Sequence, residues 1–145
     1  MRCLRVLLPC LLICVVGAGC GSHIKTKGRV VKGGEPFKPG EGEGVRIFFV
    51  PLDPREDNTY DSYAGEFNNE NGTFQIKGKD GNGLPPGKYR ITMQLMKDKE
   101  DLFSGALMGP RSPFTCEIKS SSDEVVVDLD QARIPPPKVK QEKAG

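Results

Sequence analysis

Between His23 and Leu129, apolar side chains recur at every second position in short runs, separated roughly every 8 to 15 residues by clusters of Gly, Pro, Asn and Asp. A chain with that period buries one face of a strand; wound as a helix, it would scatter the same side chains around the axis. The clearest run is residues 45–50, with Val45, Ile47 and Phe49 on one face, stopped by Pro51, which has no N–H to give to a ladder. The longest sets Tyr89, Ile91, Met93 and Leu95 against Arg90, Thr92 and Gln94. With Thr26–Lys32 and residues 63–67, 73–77, 114–118 and 125–129, the alternation predicts seven strands and no helix. Asn71-Gly72 marks a tight hairpin, because both residues tolerate positive φ. The expected fold is therefore all-β, a single seven-stranded sandwich spanning residues 26–130.

The chain's 145 residues suit one domain and leave no room for a catalytic domain beside a binding domain. Its 18 Gly and 12 Pro follow no Gly-X-Y period, which excludes collagen and favours a turn-rich body. The one histidine, His23, stands in the lead before the first strand. That removes most zinc sites and any histidine-based triad needing a base inside the domain.

The first 20 residues have a different logic. Arg2 and Arg5 precede an apolar run, residues 6–16, broken only by Pro9 and followed by Gly17-Ala18-Gly19-Cys20. A basic end, a short apolar core and small residues make an export signal, expected over residues 1–19, and the run is too short to remain as a spanning helix. Gly17-Ala18-Gly19-Cys20 resembles the bacterial lipobox, with Gly17 in place of the usual Leu. That resemblance implies that Cys20 receives diacylglycerol and becomes the first residue of the mature chain, with residues 20–25 as a tether. The alternative is an ordinary signal cleaved near Ala18 or Gly19, leaving Cys20 a free thiol. Acyl chains at Cys20 would hold the domain on a membrane without embedding it. Gly21, where such lipoproteins carry Asp for inner-membrane retention, points to the outer membrane.

Loss of residues 1–19 removes two arginines, so the mature chain carries as many basic as acidic side chains. No basic stripe with interleaved aromatics is present, and nucleic acid is set aside as a partner. After Gln131 the chain runs into Pro135-Pro136-Pro137-Lys138 with Lys140 and Lys143, and residues 131–145 read as a disordered, polyproline-like tail.

Several phrases fall into one register. Gly28-Arg29-Val30 with Gly34-Glu35-Pro36-Phe37 leads to Val45-x-Ile47-x-Phe49-x-Pro51; Asn69-Glu70-Asn71-Gly72-Thr73-Phe74 follows, then Leu84-Pro85-Pro86-Gly87-Lys88-Tyr89-Arg90-Ile91 and Ser112-Pro113-Phe114. In that order they resemble small bacterial lipoproteins with a carboxypeptidase-regulatory-like, transthyretin-like domain, over most of residues 24–130. The resemblance implies a prealbumin-like sandwich of seven strands with no assigned molecular function. Transthyretin-like hydroxyisourate hydrolases share that architecture but use several histidines and a carboxy-terminal Tyr-Arg-Gly-Ser, whereas this chain ends Gln-Glu-Lys-Ala-Gly.

Other candidate residues have plainer readings. Cys116 alternates with Phe114 and Ile118 and reads as a buried small hydrophobe; a reactive thiol would want an exposed, cationic setting. A disulfide to Cys20 would compete with acylation of the same sulfur. Asp80-Gly81-Asn82-Gly83 with Asp53, Glu56, Asp57 and Asp61 offers oxygens to calcium but lacks the calcium-loop spacing, and it is what a turn prefers. Asn71-Gly72-Thr73 fits the N-glycosylation pattern, which hairpin geometry also accounts for. No catalytic residue, cofactor or metal is assigned. The expected function is that of a lipid-anchored, non-catalytic envelope module contacting a protein or glycan through strand edges or loops 53–62 and 97–111. A structural envelope component without a ligand, an accessory carbohydrate-binding module and an unrecognised enzyme are the alternatives.

Overall fold

The computed structural model describes residues 23–53 and 61–135. The expected signal peptide over residues 1–19, Cys20, Glu56, Asp57 and residues 136–145 of the expected tail lie outside the described residues. What is described is all-β, with no α-helix and three single 3-10 turns, Lys79–Gly81, Gly109–Arg111 and Leu129–Gln131.

Among the described residues nine strands are present where the alternation predicts seven: β1 (Thr26–Lys32), β2 (Glu35–Pro36), β3 (Gly44–Pro51), β4 (Tyr63–Asn68), β5 (Thr73–Ile76), β6 (Gly87–Lys97), β7 (Glu100–Asp101), β8 (Thr115–Ile118) and β9 (Glu124–Asp128). The additional strands, β2 and β7, are two residues long, too short for a period of two to show in sequence. All nine join one curled sheet rather than two separately bonded sheets. It runs β2-β1-β5-β4-β3-β6-β7, with β9 added parallel to β1 and β8 antiparallel to β6.

The buried faces follow the alternation. Val30, Ile47, Phe49, Phe74, Ile91 and Met93 are each at most 1% exposed, and the Phe49 ring lies 5.9 Å from Phe74 and 6.2 Å from Tyr89. Burying each of these side chains contributes about 1.5–3 kcal/mol. The Tyr89 hydroxyl, at the core margin, donates to the Pro85 carbonyl at 2.6 Å, so the Pro-Pro-Gly turn is fastened to the strand it launches. Gly28 sits where β1 crosses Phe74: a Cβ there would fall 2.2 Å from the Val125 carbonyl oxygen and 2.4 Å from Phe74 Cζ. Gly72 has φ +71°, which completes the Asn71-Gly72 turn.

The alternation fails at Thr92. Placed on the outer face by its neighbours, it is 3% exposed, within a depression shared with Val50, Leu52, Arg90 and Pro110. Gly109 and Pro110, from the long loop after β7, line the same depression. That loop also replaces a strand along the free edge of β6: Met93 N–H donates to Leu107 O and Ile91 N–H to Phe114 O, both at 3.0 Å, while Leu107 and Phe103 sink into the core. The loop therefore seals an edge as well as an end.

Ordered contacts extend past both expected limits of the domain. Ile24, placed in the tether by its sequence position, is buried and exchanges hydrogen bonds with Leu84 (2.6 and 2.8 Å). Ala132 and Ile134, placed in the tail, pack against the core.

Strand register fixes two ends of the sheet. Thr26 pairs with Ile76, Gly65 with Ile76, Ile47 with Gly65, Pro51 with Tyr89, Gly87 with Ile118 and Lys27 with Glu124. Ile24, Leu84 and the 119–123 turn thus share one end. Lys32, Gly44, Asn68, Met96 and Asp128 mark the other. The chain enters at the first end and leaves at the second.

Candidate functional site

A largely apolar concavity lies at the end where the chain leaves. It has a volume of about 560 Å³, within the range of small-molecule and peptide sites. Four stretches build it. Phe37 follows the β1–β2 hairpin, Leu95 comes from β6, Leu102 and Phe103 come from the loop after β7, and Leu129 to Pro135 come from the segment after β9. Phe37 and Phe103 face each other tilted, with centroids 6.5 Å apart. A larger hollow of about 650 Å³ over the β4–β5 hairpin is lined by that hairpin alone and is mostly polar.

Polar groups stand at the rim of the apolar groove. Glu43 accepts from the Gly40 N–H at 2.7 Å and pairs loosely with Lys97 at 3.9 Å. Asp130 accepts from the Gly33 N–H, which ties the segment after β9 to the first hairpin. Lys32 completes the rim. Each carboxylate is oriented by one backbone donor and keeps lone pairs for another partner. The groove thus combines an apolar floor with oriented carboxylate acceptors at its rim.

The residues singled out from sequence do not assemble into a site. Cys116 is a half-buried free thiol beside Tyr89, and burial pushes it from 9.0 up to about 12, the opposite of activation. Asp80 adopts φ +57° in the 3-10 turn at the entering end. No group of three or more His, Cys, Asp or Glu among the described residues is placed to hold a metal ion. His23 is exposed in the lead. Asn71 is occupied within its turn, its Oδ1 accepting from the Thr73 N–H and hydroxyl.

Of the two loops expected to make contacts, the 97–111 loop does line the groove, through Leu102 and Phe103. Of the 53–62 loop only residues 53, 61 and 62 are described, and they stand at the opposite end. Phe37, Glu43, Asp130 and Ile134 were not distinguishable as a set. Each sits in a Gly/Pro-rich or charged stretch with no local period, and only the register brings them together.

No protein-family model, curated protein or solved structure matches the chain. The groove must therefore be read from its own chemistry.

Proposed function

We propose that this chain is a lipid-anchored, non-catalytic module of the bacterial cell envelope, tethered through acylated Cys20 and presenting its far-end groove to a protein or glycan. The observation that carries this reading is the polarity of the fold: the chain enters beside Ile24, four residues after Cys20, and leaves beside the groove. Four residues span at most about 14 Å. An anchor at Cys20 would hold the Ile24 end against the bilayer and turn the groove outward. The outer membrane is the proposed location, from Gly21 after the cysteine.

We further propose that the curled sheet is a transthyretin-like sandwich. In support, its seven longer strands follow the order β9-β1-β5-β4-β3-β6-β8, and side chains from both halves meet in one core. The strands at the two ends of that order, β8 and β9, are joined by a short turn closed by Asp123. Its carboxylate accepts from the Lys119 and Ser120 N–H groups, which holds it below its ordinary pKa.

The test is crosslinking in intact cells, with a photoreactive residue replacing Leu102 in the groove or, separately, Lys79 at the entering end. A partner captured from position 102 and not from 79 supports the reading. Capture only from 79, or from neither, contradicts it.

A further inference from the structure

We propose that the far-end groove receives an extended, lysine-bearing peptide of a partner protein, its aliphatic side chains on the Phe37–Leu102–Phe103 floor and its ammonium groups on Glu43 and Asp130. This rests on the reading above, that the groove is the presented surface. It adds the chemistry of what is bound.

Two observations choose a cationic peptide over an acidic glycan. The first is the charge of the whole end. Residues 32–44, 68–72, 96–101 and 128–135 carry nine carboxylates against five basic side chains, whereas the described part of the opposite end is nearly balanced. An anionic ligand approaching the groove meets like charge, and a cationic one is drawn in. The second is local. Glu43 and Asp130 are each held by a backbone N–H, so the acceptors are positioned before the ligand arrives. Lys97, at 3.9 Å, neutralises Glu43 only partly. A lysine ammonium has three donors to share between such carboxylates, and its methylene stem covers apolar surface on the way. Phe37, Leu102 and Ile134 are half-buried, which leaves apolar edges for alternate side chains of an extended segment.

The experiment is a titration of the mature full-length chain, followed by NMR of methyl and aromatic groups. The probes are a hexapeptide alternating lysine and leucine, its glutamate–leucine counterpart and a neutral chitin tetramer. The lysine peptide is expected to shift Leu102, Phe103 and Leu129. Its affinity should fall about fivefold in Glu43→Gln/Asp130→Asn and weaken with added salt, as exposed ion pairs do. Thermal midpoints of the variant and parent chains establish that both are folded, and Asp130→Asn alone serves if the double variant is not.

Equal binding of the two peptides would overturn the proposed chemistry while leaving the groove as the presented surface, and so would a groove response to the glycan alone. No groove response to any probe would overturn both readings. If removing residues 136–145 raises the lysine peptide's affinity more than tenfold, the chain's own tail is the occupant, and the proposal of a separate partner fails.

Discussion

At the residue scale, the fold is constrained most tightly where backbones and rings touch. Gly28 admits no side chain, so Gly28→Ala should push Phe74 and β9 apart and cost about 1–3 kcal/mol, read as a lower urea midpoint with an unchanged slope. An unchanged midpoint would mean that β1 and β9 are not packed as described. Cys116 and Tyr89 make a second prediction. Burial raises the thiol from 9.0 to about 12; burial, with Tyr63 and Cys116 as neighbours, raises the phenol from 10.0 to about 12. Both hold their protons more tightly folded than unfolded. The stability they contribute is complete below about pH 9 and drains away as pH rises towards 12. Urea midpoints should therefore fall over that interval, and Cys116→Ala should flatten the first part of the decline; a midpoint constant to pH 11.5 would contradict the burial of both groups. At pH 8 iodoacetamide should label Cys116 slowly until the chain is unfolded, because the thiolate is the attacking species.

At the element scale, the long loop after β7 substitutes for a strand. Leu107→Ala should cost about 2–5 kcal/mol and raise hydrogen exchange at Met93 and Ile91, whose N–H groups the loop segment accepts, before it does so in β1 or β5. Uniform exchange would show that the loop and sheet open as one unit. The opposite margin is guarded differently. Among the described residues β9 pairs only with β1, and it exposes Val126 at 49% between Glu124 and Asp128. Antiparallel pairing of two copies centred on Val126 would set Glu124 against Asp128 of the second chain, and like charges directly opposite destabilise a ladder. The chain should sediment as a monomer, and Asp128→Lys should promote a dimer; a wild-type dimer would show that this edge is not protected.

These elements also mark how far the sequence is legible. Seven runs of alternation each fall on a strand, because a half-buried strand writes its period into four or more residues. The two-residue strands, the burial of Thr92 and the docking of Ile24 and Ile134 are set by chain segments distant in sequence, and no local pattern reports them.

At the scale of the whole molecule, one end takes in the chain and the other lets it out, and the two differ in charge. The outgoing end is acidic and carries the groove. Under the proposed anchoring of acylated Cys20 in an anionic bilayer, repulsion of that end would add to the constraint of a short tether and turn the groove away from the membrane. No local pattern announces the groove, because Phe37, Glu43, Phe103, Asp130 and Ile134 span nearly a hundred residues. The proposed anchor, by contrast, rests on four consecutive residues, Gly17 to Cys20, which lie outside the described structure. Intact-mass and tandem mass spectrometry of the mature amino terminus tests the account most directly. The account predicts a chain that begins at Cys20 and carries diacylglycerol on its sulfur. A mature chain beginning at Gly19 or Cys20 with an unmodified thiol would contradict it.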